Sequence, residues 1–290
     1  MPKKSEYVRD RSKSQSNFGC PYSSYVTEII FYLGDRLIIQ IYEIQNKAEA
    51  QMALSMGVDH IGSVILSESQ WKDRNILSTI NITRQSGKKS SLIPLFSEIS
   101  SISRCLDYYQ PDIVHFCESI PLETLDDVTL DRLISIQKTV RQHFPEIKIM
   151  RSIPIYEPGM YDTSIVLKVA DRLEPYSDYF LTDTVIQTDG KICVQDQPVN
   201  GFVGITGRIC DWEVASELVV QSNIPVILAG GLGPGNVMDA ILKVRPFGVD
   251  SCSATNVLNT AGKTVRFQKD SKKLREFIVK SRKAESMISV

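Results

Sequence analysis

Eight short apolar segments alternate with eight segments of helical pattern along most of this 290-residue chain. The apolar segments are rich in β-branched residues, which is typical of strands buried on both faces of a parallel sheet. We predict strands at 37–42, 60–66, 91–96, 113–117, 148–153, 179–182, 225–229 and 247–251. We predict helices at 47–56, 73–85, 99–109, 130–144, 164–173, 212–221, 237–244 and 274–283. This alternation, at roughly 25 to 35 residues per unit, indicates an α/β fold of the (β/α)8 TIM-barrel type.

An open, doubly wound sheet is the alternative arrangement of the same elements. Such a sheet usually carries a glycine-rich turn directly after its first strand. Here the first strand leads into Tyr42-Glu43-Ile44, which contains no glycine. We therefore expect a closed barrel within residues 25–290, with its functional groups on the loops that follow the strands.

The composition narrows the possible partners. The formal net charge is −1, so nothing favours bulk attraction to nucleic acid or to an anionic membrane. No apolar segment is long enough to span a bilayer. The six cysteines are far apart and there are only three histidines, so no zinc-binding spacing is present. Scattered cysteines are typical of a reduced, cytoplasmic protein. Residues 1–24 are polar and predict a disordered or extended arm, and the basic series at 272–283 predicts a solvated helix face.

The segment 224–256 carries the clearest signal of a binding site. The buried strand at 225–229 ends in Gly230 and Gly231, and the next strand opens into the small residues 252–256. Two adjacent strands that end in small residues can direct backbone N–H groups at one phosphate. The alternative is an ordinary strand–turn–helix–strand unit whose glycines only allow the chain to turn.

Four motifs in order resemble a known family. They are Leu-Thr-Asp-Thr at 181–184, Gly-Ile-Thr-Gly with a following Asp-Trp at 204–212, the glycine-rich segment at 225–237, and Gly-Val-Asp with small residues at 248–253. In sequence and spacing, residues 37–283 resemble phosphoribosylanthranilate isomerase. The resemblance implies an Amadori rearrangement of a phosphorylated aminoaldose in tryptophan biosynthesis, with no metal or organic cofactor.

The resemblance also implies roles for individual residues. Asp183 would be the general acid, although a loop carboxylate or a helix N-cap is the alternative for this residue. Thr206 and Gly207 would contact the substrate. The phosphate group would be held by Gly230, Gly231, Ser253, Ala254 and Thr255.

The sequence departs from the family at the first strand. The family has Lys-x-Cys-Gly there, with the cysteine as general base, and ungapped counting from Gly57 places Tyr42 at the cysteine position. The candidates for a replacement base are Glu43, Tyr42 and Cys117. A phenol ordinarily titrates near about 10, so Tyr42 would need a large shift of its pKa. For each of the three, a packed or solvated side chain is the favoured interpretation over a base, and Glu43 is the best of the candidates.

Further departures concern the substrate end of the site. At the position of the arginine that holds the anthranilate carboxylate in the family, this chain has Trp71, with Arg74 close by. Trp71 could stack on a ligand or pack on the barrel wall. His115 and Cys117 stand where the family has Gln-x-His-Gly after the fourth strand. An insertion at about 185–203, with a hairpin turn expected at Asp189-Gly190, would lie over the barrel mouth.

Two classes of function are compatible with this pattern. One is a phosphosugar isomerase that has diverged in substrate or is weakly active. The other is a non-catalytic or regulatory barrel that binds a phosphorylated ligand. In both cases we expect a phosphorylated small molecule as ligand, no nucleic-acid or membrane partner, and either a monomer or a homodimer.

Overall fold

The structure is a computed structural model that describes residues 36–122, 125–159, 163–188, 191–192, 201–204 and 206–288. The arm predicted at 1–24 lies outside the described residues. The same holds for residues 189–190 and 193–200 of the predicted insertion.

A closed parallel barrel forms the centre of the described chain. The strands are β1 (Ile38–Ile41), β2 (His60–Ile65), β3 (Lys89–Pro94), β4 (Ile113–Phe116), β5 (Lys148–Tyr156), β6 (Tyr179–Val185), β7 (Gln187–Thr188), β8 (Lys191–Ile192), β9 (Val226–Leu228), β10 (Gly248–Ser251), β11 (Asn256–Leu258) and β12 (Thr264–Lys269). Strands β1 to β6, β9 and β10 close the barrel in that order, and β10 pairs back onto β1. The predicted (β/α)8 fold is confirmed, and the open sheet is excluded.

Each barrel strand is followed by a helix that packs on the outside of the barrel. The helices are α1 (Lys47–Ser55), α2 (Arg74–Gln85), α3 (Ile99–Tyr109), α4 (Asp127–His143), α5 (Thr163–Leu173), α6 (Trp212–Gln221), α7 (Val237–Val244) and α8 (Ser271–Ile288). Side-chain caps begin several of them, as at α6, where Asp211 accepts hydrogen bonds from the N–H groups of Glu213 and Val214. Among the described residues, no helix combines the length and the apolar character needed to cross a membrane.

Strands β5 and β6 extend further than the sequence predicts. They pair without interruption from Met150 opposite Tyr179 to Tyr156 opposite Val185. The predicted strands ended at Ile153 and Thr182, so Asp183 lies within a paired strand and not in the loop after it. Its backbone is therefore fixed by sheet hydrogen bonds, which limits the movement of its carboxyl group.

Two antiparallel pairs of short strands add to the barrel. Gln187 pairs with Ile192 and Thr188 with Lys191, so β7 and β8 flank the predicted turn at 189–190. The pair of β11 and β12 follows β10 directly and was not predicted from the sequence. Both additions follow strands at the carboxyl end of the barrel.

Helix α8 connects the end of the chain to its first described strand. The Arg282 guanidinium contacts an Asp59 carboxylate oxygen at 2.5 Å and donates to the Leu37 carbonyl at 2.5 Å. Lys280 donates to the Pro234 carbonyl at 2.8 Å. The prediction that the basic series at 272–283 is only a solvated face is therefore wrong for these residues, because their charges bind groups of the barrel.

The aromatic ring of Tyr42 occupies the space beside Gly62 of β2 that a side chain would need. A Cβ added to Gly62 would overlap three carbon atoms of that ring. Tyr42 is 4% exposed, and its hydroxyl is hydrogen-bonded to Ser91 of β3 at 2.6 Å. The side chain of Tyr42, the residue directly after β1, thus crosses β2 and reaches β3, and it requires a glycine at position 62 to do so.

We predict that Gly62→Ala destabilises the protein by about 1–3 kcal/mol, because the added methyl group overpacks the Tyr42 ring. In a background that carries Tyr42→Cys, the same substitution should cost much less, since the ring is gone. Gly235→Ala is the control, as nothing lies within 4 Å of an added Cβ there. Urea unfolding of the double-mutant cycle measures the difference, and equal costs in both backgrounds would contradict the predicted contact.

Candidate active site

A cavity of about 800 Å³, measured out to its open mouth, lies at the carboxyl ends of the barrel strands. Most barrel strands or the loops after them contribute to its wall. The lining residues are Tyr42, Glu43, Val64, Ile93, Leu95, His115, Cys117, Leu181, Asp183, Phe202, Val203, Gly204, Thr206, Gly207, Ala229, Gly230, Gly231, Leu232, Asp250, Cys252, Ser253 and Ala254. This is the end of a (β/α)8 barrel at which active sites form.

Three of the site residues predicted from the sequence do not line this cavity. Trp71 follows a short 3-10 turn after β2, and its ring packs edge-on against Tyr108 of α3 with centroids 5.6 Å apart. Arg74 is the exposed first residue of α2. Thr255 is fully buried, with its hydroxyl donated to the Cys252 carbonyl at 3.0 Å. The ungapped alignment missed the 3-10 turn, which directs Trp71 and Arg74 to the outside of the barrel.

Asp183 lines the cavity, and the backbone at Gly204 packs against its carboxyl group. A Cβ on Gly204 would lie 2.5 Å from an oxygen of its carboxyl group. The segment that carries Gly204 is held across the mouth, where Val203 N–H donates to the Cys117 carbonyl at 2.8 Å. Burial raises the pKa of Asp183 to about 7, against smaller opposing contributions from the Thr184 N–H and the Ser152 hydroxyl. Asp183 can therefore carry a proton at neutral pH and donate it.

A row of hydrogen bonds crosses the barrel from Tyr42. The Tyr42 hydroxyl lies 2.8 Å from His115 Nδ1, and His115 Nε2 lies 2.9 Å from the Ser152 hydroxyl. Burial, and then the nearby Arg151 charge, lower the pKa of His115 to about 3, so its ring is neutral. Ser152 in turn faces Asp183. These contacts link the position of the expected base on β1 to the expected acid on β6.

Glu43 lies in the cavity wall but its carboxylate already has partners. Arg266 of β12 donates from Nε at 2.7 Å and places Nη2 2.5 Å from the same oxygen. Asn256 donates to the other oxygen at 3.4 Å. Glu43 also has a φ of 62°, a left-handed conformation that usually costs a non-glycine residue about 1–3 kcal/mol. This ion pair attaches the additional β11–β12 hairpin to the end of β1.

Asp250 of β10 also lines the cavity and is not among the site residues predicted from the sequence. It is 6% exposed, and its carboxyl oxygen Oδ1 has no hydrogen-bond partner among the described residues. Burial raises its pKa to about 8, with Gln40 and Lys269 opposing that shift and Asp183 adding to it. The signal available in the sequence was a charged residue inside an otherwise apolar strand, which is uncommon unless the residue is paired or functional.

Backbone and small side chains form the opposite side of the cavity. Gly230 and Gly231 have φ values of 95° and 60°. An added Cβ at Gly231 would meet the Arg208 backbone at 2.7 Å, so only glycine fits there. Ser253 and Ala254, on a short 3-10 turn after β10, lie beside them in the cavity wall. This side has the form expected of a phosphate site built from main-chain groups.

The cavity wall carries acidic side chains without basic partners in its described lining. Its titratable residues include Glu43, Asp183 and Asp250, and none of the described lining residues is Lys or Arg. The apolar part of the wall comprises Val64, Ile93, Leu95, Leu181, Phe202 and Val203. Two buried carboxyl groups with raised pKa values thus share the cavity with the main-chain groups that are predicted to hold a phosphate, and such an arrangement is suited to acid–base chemistry.

Comparisons with known sequences agree with this geometry. A family model described as N-(5'phosphoribosyl)anthranilate (PRA) isomerase matches residues 161–280. N-(5'-phosphoribosyl)anthranilate isomerase 2 of Methanosarcina mazei is 29% identical over 218 residues, which cover 74% of this chain and 84% of that protein. The isomerase of Acetivibrio thermocellus is 41% identical over 90 residues, which cover 31% of this chain and 37% of that protein.

Solved structures share the fold. The phosphoribosylanthranilate isomerase from Pyrococcus furiosus has a TM-score of 0.56 at 19% identity, covering 86% of this chain and 100% of that one. A phosphoribosyl anthranilate isomerase in complex with reduced 1-(o-carboxyphenylamino)-1-deoxyribulose 5-phosphate has a TM-score of 0.57 at 18% identity, with the same coverage. Together with the sequence matches, they confirm that this chain resembles phosphoribosylanthranilate isomerase.

We predict that Gly204→Ala disturbs Asp183, because the new methyl group would press on its carboxyl group. Gly207→Ala is the matched control, since both glycines have positive φ (109° and 68°) but nothing lies within 4 Å of an added Cβ at Gly207. The free energy of unfolding should fall by roughly 1 kcal/mol in both variants, because alanine is strained at a positive φ. It should fall by about 1–3 kcal/mol more in Gly204→Ala, because the methyl group overpacks the carboxyl group. Thermal unfolding of the two variants checks this, and equal melting temperatures would contradict the contact.

Proposed function

We propose that this protein is a phosphosugar isomerase of the phosphoribosylanthranilate isomerase type, which converts a phosphorylated aminoaldose to the aminoketose. The observation that carries the proposal is Asp183, a buried carboxyl group whose pKa of about 7 lets it hold a proton beside the cavity. The sequence similarity to N-(5'-phosphoribosyl)anthranilate isomerases supports the same reaction.

In the proposed mechanism Asp183 begins the reaction. Its proton moves to the ring oxygen of the sugar, the bond from that oxygen to C1′ breaks, and the nitrogen lone pair forms an iminium group. A base then removes the proton from C2′, and the electrons return to nitrogen to give an enol, which tautomerises to the ketone. The main-chain groups at Gly231, Ser253 and Ala254 hold the phosphate, which fixes the sugar over Asp183.

We propose that this protein differs from the family in its substrate or has a lower rate on the family's substrate. The cavity wall contributes three carboxyl groups and no described cation, which gives the carboxylate of an anthranilate group no charged partner. Tyr42 fills the space where the family's base would lie, and its pKa is raised well above the ordinary value by burial. Weak turnover of phosphoribosylanthranilate, or preference for another phosphorylated amino sugar, is the expected consequence.

We predict measurable but slow isomerisation of phosphoribosylanthranilate, with kcat/KM below about 10⁴ M⁻¹s⁻¹, the lower end of the usual range. The rate should fall on the alkaline side as Asp183 ionises, because the acid must carry its proton. Asp183→Asn should lower kcat about 10²- to 10⁴-fold. A fluorescence assay of substrate loss between pH 5 and pH 9 measures this.

Complementation of a tryptophan auxotroph that lacks the isomerase extends the test to cells. Growth that depends on Asp183 supports the proposal. Purified protein that binds the substrate but never converts it would instead support the alternative, a non-catalytic barrel that binds a phosphorylated ligand.

We further predict that Ser253→Asp weakens binding of a phosphorylated ligand at least about tenfold, because a carboxylate would face the phosphate across a few ångströms. Ser253→Asn is the control, since it has nearly the same shape without the charge. Calorimetric titration with ribulose 5-phosphate compares the two variants. Equal affinities for both would place the phosphate elsewhere.

A further inference from the structure

The carboxyl group of Asp250 has a position that the proposed reaction can use. It lies on β10 next to Gln40 of β1 in the barrel register, and it faces the same cavity as Asp183. Its Oδ1 atom is buried without a hydrogen-bond partner in the described part of the chain. A buried carboxyl oxygen that is left unpaired costs free energy, so such groups call for a functional explanation.

The other candidate bases are less suited to accept a proton. The Glu43 carboxylate is bound by Arg266 and Asn256. The Tyr42 hydroxyl is engaged by hydrogen bonds across the barrel, and burial raises its pKa well above the usual value. Burial likewise raises the pKa of the Cys117 thiol. Phenolate and thiolate are therefore scarce at neutral pH.

We propose that Asp250 is the base that removes the C2′ proton in the isomerisation; this inference rests on the proposed function. The C2′–H bond breaks and its proton goes to Asp250 Oδ1. The electron pair forms the C1′=C2′ double bond, while the iminium π pair moves to nitrogen and neutralises it. Asp250 then holds the proton, and Asp183, which gave up its own proton at ring opening, is ionised.

The charges around Asp250 fit this role. Burial and the Asp183 charge hold its pKa at about 8, whereas Lys269 of β12 and the Gln40 amide favour the carboxylate. A carboxylate with a raised pKa is a stronger base than an ordinary one. Because Asp250 holds its proton more tightly than Asp183, the reactive form, with the proton on Asp183 and Asp250 ionised, is the smaller fraction of the singly protonated pair, and Lys269 and Gln40 increase it. The pH profile therefore reports the pair as a unit.

The test uses the full chain, phosphoribosylanthranilate and the same substrate with deuterium at C2′. Asp250→Asn should lower kcat about 10²- to 10⁴-fold and make proton removal rate-limiting, so the deuterium isotope effect on kcat should increase. Asp183→Asn should lose rate without that increase, because ring opening then limits turnover. Asp239→Asn, on the exposed side of α7, is the control for the chemical change and should keep the wild-type rate and isotope effect.

A second variant tests whether the loss of rate in Asp250→Asn comes from a structural disturbance by the new amide group. Asp250→Ala leaves a space into which formate can diffuse, and added formate should restore a measurable part of the rate. Wild-type rate and isotope effect in Asp250→Asn would overturn the role of Asp250 alone. Loss of rate with no change in isotope effect and no rescue by formate would do the same. Absence of turnover in the wild type would overturn the proposed function, and the role of Asp250 with it.

Discussion

The contact between the Tyr42 ring and the Gly62 backbone determines how the polar side chains inside the barrel mouth are oriented. It brings the hydroxyl of Tyr42, which follows β1 directly, to Ser91 on β3 and to His115 on β4. Because the hydroxyl engages one nitrogen of His115, the other nitrogen is aimed at Ser152. The orientation of the side chains of Tyr42, Ser91, His115 and Ser152 thus depends on the absence of a Cβ at Gly62.

Desolvation gives that cavity its chemistry. The cover provided by Gly204 and its neighbours, and the lack of described cations in the wall, make ionisation of Asp183 and Asp250 costly. The same cost appears in stability. Since both pKa values are raised above those of the unfolded chain, the two groups favour the folded state below about pH 4 and lose that contribution as the pH rises through 7 and 8. The site thus favours folding least at the alkaline pH values where its carboxyls are ionised.

The sequence was sufficient for the architecture because buried parallel strands and amphipathic helices have distinct periodicities. It was also sufficient to bring Asp183, His115 and the glycine pair to one cavity, since all of them lie in or directly after the carboxyl-terminal halves of barrel strands. It failed at Trp71, where ungapped counting cannot detect a 3-10 turn. It also failed at the pair of β11 and β12, and with it Arg266, because a salt bridge over 223 residues leaves no local pattern.

Barrel closure is the structural basis for the proposed role of Asp250. The first and last barrel strands, β1 and β10, are distant in sequence but adjacent in space, with Gln40 opposite Asp250. A side chain from β10 can therefore enter the cavity beside the end of β1, at the level of Gln40 and two residues before Tyr42. In an open sheet the first and last strands need not be neighbours, so a side chain from the last strand would not reach the end of the first. The closed topology thus places the Asp250 carboxyl group beside β1, as its proposed role in the reaction requires.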